Sequence, residues 1–390
     1  MLKNKNKGIT LVALVVTIVV LLILAGISIS ALTNTGIFQK AKDAKQKSAN
    51  AELDQNTKLD SYEEEISNYL PQDVKQAIKK GKPLSTDKNT EIVDEKGNKI
   101  VIPAGFKVTG DATTVDKGIV IEDATVDKDG KPTATAGSQF VWVPVGKITK
   151  EDGTKTEIKL NRYTFASDGT PTEKNNEVIN SYFSETESKG NTVAKNIVNF
   201  TNSVKANGGY YIGRYEARTT TARTASGNAL TQITEKGTDQ VYNYVTQKQA
   251  AEQAQGMYTS NNFTSDLMNS YAWDTAITFI QKCTDKTNYA NQTSLNKSLS
   301  QTGTTNDNPC NIFDMASNVW EWTTETSSRI SSATLSKAPC AYRGGLYGNS
   351  RYYTSYRGAT LTGGLFLYGI KKQNGIFEKI PKLQNHPLTI

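Results

Sequence analysis

Histidine is all but missing: the chain holds one, His386, beside Pro387 and within its last five residues. That excludes a Ser-His-Asp or Cys-His arrangement, and any histidine-based zinc or iron site, from the folded part. Cysteine is scarce too. The three present, Cys283, Cys310 and Cys340, are too few for a four-thiolate metal site. The formal net charge of +7 is dispersed, with three Lys in the first eight residues and four after Gly369. No basic patch is interleaved with aromatics, so nucleic acid is not an expected partner.

Acidic residues are missing from Met1 to Gly8, and charge of either sign from Ile9 to Leu32. A helix over that apolar run spans about 36 Å, enough to cross a bilayer. A secretory signal has a shorter apolar core with its cleavage site after it, whereas here Lys7-Gly8-Ile9-Thr10-Leu11 precedes the run. This order resembles the class III leader of type IV pilins and pseudopilins. The resemblance implies cutting by prepilin peptidase between Gly8 and Ile9, a single membrane-spanning helix with the head outside the cell, and other pilins as assembly partners. It departs from the family at the fifth mature residue, where Ala13 stands in place of Glu. A plain N-terminal membrane anchor is the other reading.

Beyond the run, Ile37, Phe38, Ala41, Ala44, Ser48, Ala51, Leu59, Tyr62, Ile66 and Tyr69 keep helical spacing. This predicts a helix that continues to about Tyr69 and breaks at Pro71. Lys40, Lys42, Lys45 and Lys47 sit at its membrane-proximal end, where anionic head groups attract them. The expected order is a leader at 1–8, a transmembrane helix at 9–36, an amphipathic stalk helix at 37–70, a linker at 71–89, a head at 90–370 and an unstructured basic tail at 371–390.

In the head, Glu91–Asp94 and Lys99–Ile102 flank a turn containing Gly97, which predicts a hairpin. Phe106–Val108, Gly118–Ile121, Phe140–Val145 and Gly209–Ala217 read as further strands, and Leu267–Cys283 as a helix packed on a sheet. Ile148 to Asn199 is polar and reads as surface insertions. The fold class expected is α+β: a long membrane and stalk helix followed by a mixed, loop-rich head.

The most informative segment is Asn308–Trp322, NPCNIFDMASNVWEW, followed by Arg343-Gly344-Gly345. Trp320 and Trp322 point the same way on an extended chain and read as core anchors, with Glu321 facing the other way. Asp314, Asn318 and Glu321 are hard oxygen donors of the kind Ca²⁺ takes; solvated turn carboxylates would look the same. The segment resembles the signature of the formylglycine-generating enzyme, or sulfatase-modifying factor, family, a variant of the C-type lectin fold. Phe140-Val141-Trp142-Val143-Pro144-Val145, Gly208–Glu216 and Tyr271-Ala272-Trp273-Asp274 fit the same pattern. The resemblance implies a calcium site with side-chain ligands Asp314 and Glu321 and backbone-carbonyl ligands Ser317 and Val319, Ser317 replacing the usual Gly.

In that family two Cys after the RGG motif bind copper and oxidise a substrate Cys; the matching positions here are Asn349 and Thr354. Neither supplies a thiolate, so neither copper nor catalysis is expected. Cys310 and Cys340 bracket the motif, and a disulfide between them could add roughly 3 to 4 kcal/mol; three reduced, buried thiols is the other reading. The segment Tyr347, Asn349, Ser350, Arg351, Tyr352, Tyr353, Ser355, Tyr356, Arg357 has the residue types of a paratope. It resembles the ligand face of the variable proteins of diversity-generating retroelements. The resulting expectation is a surface-exposed pilin-like binding protein with an extracellular protein or glycan ligand. A minor pseudopilin of a secretion, pilus or DNA-uptake machine is the alternative, and packing of Tyr352, Tyr353 and Tyr356 beside the two Trp is the alternative for the face.

Overall fold

The computed structural model describes residues 78, 80–174, 197–221, 223–225, 228–326, 340–360, 368–370 and 372–375, with isolated positions between 43 and 58. The chain divides into two compact units, Met1–Val74 and Lys75–Ile390. In the first, the described residues, among them Ala44, Ser48, Ala51 and Gln55, are helical and exposed. The leader at Gly8 and Ile9, the apolar run, most of the stalk, the stretch 175–196 and the last fifteen residues lie outside the described residues. Among the described residues no helix is long and apolar enough to cross a membrane.

The second unit mixes helix and sheet. Its entry is the expected hairpin, β1 (Thr90–Val93) on β2 (Lys99–Ile102), with Gly97 in the turn at φ +81°. β3 (Phe106–Thr109) and β4 (Val120–Asp123) follow as an antiparallel pair. β5 (Gln139–Pro144) then enters the middle of the main sheet, where Phe140 through Val143 are wholly buried. A near-continuous apolar run is what a strand covered on both faces requires.

The polar stretch read as surface insertions contains two hairpins, a correction to the sequence reading. They are β6 (Gly146–Thr149) with β7 (Lys155–Ile158), and β8 (Tyr163–Phe165) with β9 (Pro171–Glu173). Ile148, Ile158 and Tyr163 anchor them in the core. At most two apolar residues per short strand leave too little periodicity to read.

Helix α1 (Ile197–Asn207) leads into β10 (Gly209–Gly213), which pairs with β5 in the register Tyr211 opposite Trp142. The short pair β11 (Arg218–Thr219) and β12 (Gln240–Val241) closes a Thr-rich loop. Helix α2 (Gln247–Gly256) starts at a capping box, Thr246 with Gln249. β13 (Thr264–Leu267) precedes helix α3 (Ser270–Cys283), whose N-cap Asn269 accepts from the Ala272 N–H. The apolar stripe Ala272, Trp273, Ala276, Ile277 and Ile280 is buried, as its spacing predicts.

A second, four-stranded sheet carries the signature segment. β14 (Trp320–Thr326) pairs antiparallel with β15 (Cys340–Arg343), which pairs with β16 (Arg357–Thr360), and β17 (Tyr368–Ile370) lies parallel to β14. The last strand, β18 (Lys372–Gly375), belongs to the main sheet, inserted between β10 and β13, so that the order is β13-β18-β10-β5-β4-β3. The stretch expected to be an unstructured tail therefore contains a strand at Lys372–Gly375. Pairing of Asn374 with Tyr211 and Ser265 places it there, a backbone property that a Lys-Gln-Asn-Gly composition does not reveal.

Candidate functional site

The signature segment is wound tightly before it becomes a strand. Cys310, Asn311, Asp314 and Asn318 all have φ between 49° and 68°, a left-handed conformation costly for residues other than Gly unless the surroundings fix it. Buried carboxylates do the fixing. Asp307 accepts from Tyr289 Oη at 2.8 Å, Gln292 Nε2 at 3.0 Å and the Ala316 N–H at 2.7 Å. Glu216 accepts from Asn318 Nδ2 at 2.6 Å and the Val319 N–H at 3.1 Å. Asp314 accepts from the Thr305 hydroxyl, and from the Gly303 N–H at 3.4 Å.

Asn318, read as one of three clustered oxygen donors, is a cross-brace. Its Oδ1 accepts from the Ser300 N–H at 2.9 Å and its Nδ2 donates to the Ser300 carbonyl at 3.2 Å. The four residues expected to hold calcium, Asp314, Ser317, Val319 and Glu321, are all wholly buried, so solvated turn carboxylates do not describe them. Two buried carboxylates beside main-chain carbonyls are donors of the right hardness for Ca²⁺. Among the described residues no group of three or more His, Cys, Asp or Glu side chains is arranged to hold a metal ion.

The RGG turn is explained by close approach. A Cβ on Gly345 would lie 1.7 Å from the Ala316 carbonyl oxygen, and one on Gly344, at φ +90°, would lie 2.6 Å from Glu321 Oε2. Only glycine lets this turn lie against the signature segment. Arg343 is buried and pairs with Asp274 of α3, while its Nε donates to the Tyr356 carbonyl at 3.1 Å. Arg357 Nη2 reaches the same carboxylate at 3.4 Å. Asp274 thus holds together α3, β15 and β16.

Arg357, expected on the ligand face, is half-buried, with one side of its guanidinium turned to Asp274. Tyr352 and Tyr356 are half-buried in an aromatic stack: Tyr352 lies 4.5 Å from Trp320 and 4.8 Å from Tyr356 between ring centres, and Tyr356 lies 6.0 Å from Tyr342. Ser350, Arg351 and Tyr353 are exposed, Tyr353 at 37%, and Tyr347, Asn349 and Ser355 are half-buried. The exposed part of this segment is therefore narrower than the run of residue types suggests.

Asn349 and Thr354 occupy different environments. Asn349 Oδ1 accepts from the Arg351 N–H at 3.0 Å, a short turn at the surface. Thr354 is wholly buried; its N–H donates to the Gln292 carbonyl at 3.0 Å and its own carbonyl accepts from Trp273 Nε1 at 3.0 Å.

Cys310 is a free thiol, not one half of a bridge. Its Sγ donates to the Asp116 carbonyl at 3.4 Å, and it lines a cleft of about 430 Å³ together with Cys283, which is also free. Cys340 contributes backbone to β15, and its side chain lies outside the described residues. Burial, and secondarily the neighbouring Cys283, pushes the Cys310 thiol well above its usual range, and burial pushes Cys283 up to about 12.

Residues 245–366 match the sulfatase-modifying factor enzyme 1-like domain. The match takes in α2, α3 and the whole signature and RGG region, and leaves out β1 through β12. No curated protein and no solved structure matches the chain. The matched domain is the part that holds Asp274, Asp307, Asp314, Glu321 and Arg343. Asp274 and Glu216 fall within motifs visible in the sequence but carry no role there, and Asp307 ends the Asn/Thr/Ser-rich loop before the signature with nothing near it in the chain to mark it.

Proposed function

We propose that the chain is an exported, pilin-like binding protein whose sulfatase-modifying-factor-like head, a C-type lectin variant, recognises an extracellular protein or glycan and performs no oxidation. The observation that carries this reading is at Asn349 and Thr354. Where the resemblance puts the family's two thiols, this chain has an amide in a surface turn and a hydroxyl buried against Gln292, and neither can bind copper or attack as a thiolate. On this reading the exposed Ser350, Arg351 and Tyr353 serve as the contacts.

Calcium belongs to the same reading as a scaffold ion. Asp314 and Glu321 would hold it by side chain, and Ser317 and Val319 by their carbonyls. A ligand that binds the folded state at a hundred times its dissociation constant stabilises by about 2.7 kcal/mol. Calcium is expected to raise the melting temperature by a few degrees over the EDTA-treated protein, and Asp314→Asn to abolish that increment.

The test of the binding role is a glycan and cell-surface protein array probed with the whole chain. Arg351→Ala with Tyr353→Ala should abolish any signal while leaving the melting temperature unchanged. Binding that survives both substitutions would remove this face from the reading. The second reading, a minor pseudopilin, rests on Lys7-Gly8-Ile9 ahead of the apolar run. Both readings require a mature N-terminus at Ile9 after co-expression with a prepilin peptidase; recovery in sheared filaments favours the pseudopilin.

A further inference from the structure

A cavity of about 560 Å³ opens beside β11, lined by Arg218, Arg223 and Lys236 together with the threonines, Asn228 and Gln232 of the loop that follows. None of the residues 347–357 lines it, so it is separate from the face discussed above. Its volume is that of a small-molecule site. Among the described residues that line it, Ala134 and Ala229 are the only apolar ones, and none offers an aromatic surface on which a ring could stack.

The charge is one-sided. Arg218 pairs with Asp239 and donates from Nε to Thr234 Oγ1 at 2.8 Å. Arg223 is buried at 6% exposure, yet its guanidinium reaches main-chain carbonyls: Asn243 at 3.0 Å, Ala229 at 2.7 Å, Asn228 at 3.1 Å and Tyr244 at 3.2 Å. These bonds satisfy its donors without neutralising its charge. Lys236 is half-buried and forms no ion pair among the described residues. The neighbouring Glu235 turns away, its Oε2 packing toward Gly213. Among the described residues three cations thus line the cavity and no carboxylate does, Asp239 reaching only Arg218 from outside the lining. A partly buried ammonium with no counter-charge is costly, and an anion entering the cavity supplies that charge.

We infer that this cavity binds an acidic saccharide: the Lys236 ammonium, with the Arg223 and Arg218 guanidiniums behind it, takes the anionic group, and the threonine hydroxyls and Gln232 take the sugar hydroxyls. The lack of an aromatic platform disfavours a nucleotide base.

The test is calorimetric titration of the whole chain with glucuronate, glucose and inorganic sulfate, on wild type, Lys236→Gln and Lys236→Arg. Glucuronate is expected to bind at least tenfold more tightly than either glucose or sulfate. Lys236→Gln should weaken glucuronate at least tenfold, Lys236→Arg should stay within about threefold of wild type, and raised salt should weaken binding. Equal affinity for glucuronate and glucose would overturn the charge argument, and sulfate binding as tight as glucuronate would reduce the site to an anion hole. No heat with glucuronate at millimolar concentration, or no effect of Lys236→Gln with the fold intact by circular dichroism, would overturn the inference outright. The face at Ser350, Arg351 and Tyr353 is untouched by these variants, so either site can fail without the other.

Discussion

Asp274 is a single residue on which three elements depend, and its chemistry makes the dependence measurable. It accepts from Arg343, from Arg357, and from the Tyr163 N–H at 3.0 Å. Both Asp274 and Arg343 are almost fully excluded from solvent. Removing one partner of such a pair strands the other's charge, which costs about 3 to 5 kcal/mol. Asp274→Asn keeps the shape and removes the charge, so a urea titration should show a loss of that size. Arg351→Ala, at the exposed tip of the same segment, should stay within about 0.5 kcal/mol of wild type. Equal effects from the two would refute a structural role for the pair. The thiols offer a second check at this scale. With Cys283 pushed up to about 12 and Cys310 raised well above its usual range, both chiefly by burial, little thiolate is present at pH 8. Alkylation of the native protein at these two positions should be on the order of 100-fold slower than in urea; peptide mapping showing equal rates would contradict the buried placement.

At the scale of elements, the legible parts were those whose signal is carried by side chains close in sequence. The β1–β2 hairpin declared itself through Gly97 between two alternating runs, and α3 through Trp273, Ala276, Ile277 and Ile280. The signature segment and the RGG turn were legible because their tryptophans and glycines are forced by contact: Trp322 in the core, Gly345 against the Ala316 carbonyl. What stayed hidden depends on distant partners. Nothing near Arg357 in the chain says that its guanidinium will turn to Asp274, eighty-three residues away. Nothing in Lys372–Gly375 says that it will fill the gap between β10 and β13. That gap gives the element its test. A chain ending at Leu367 would lose β17 and β18 and expose the unpaired edges of β10 and β13 and one edge of β14, and open edges template association. Such a truncation is expected to elute from size exclusion as aggregate, or to melt without cooperativity. Asn374→Pro, which removes a backbone donor inside a sheet, should cost about 3 kcal/mol or more. A monomeric truncation with unchanged melting would show that these strands are dispensable.

For the second unit as a whole, the buried tyrosines set the alkaline limit. Tyr210, Tyr211, Tyr258 and Tyr289 are all pushed well above the ordinary phenol range, burial being the largest cause in each. Each hydroxyl donates inside the protein: Tyr210 to the Ala272 carbonyl at 2.5 Å, Tyr211 to the Val101 carbonyl at 3.0 Å, Tyr258 to Asp123 at 3.0 Å and Tyr289 to Asp307 at 2.8 Å. A donated proton is lost on ionisation, and for Tyr258 and Tyr289 the phenolate would face a carboxylate. Below about pH 9 the phenols are neutral in both folded and unfolded chains, and these groups give stability no slope. Above about pH 10 the unfolded chain releases its phenolic protons while the folded one retains them, so the folded state binds more protons and stability falls as pH rises. Each such tyrosine contributes up to about 1.4 kcal/mol per pH unit, and four of them roughly 5. Against a total stability of about 5 to 15 kcal/mol, unfolding should complete within one to three pH units above 10. Tyrosinate absorbance and circular dichroism should therefore change together in one late, cooperative step, and Tyr211→Phe should flatten the slope by about the contribution of one tyrosine. Phenol ionisation that proceeds smoothly to pH 12 with the circular dichroism unchanged would mean that these hydroxyls reach solvent, and that the junction of the main sheet with α3 and the signature segment is looser than its packing implies.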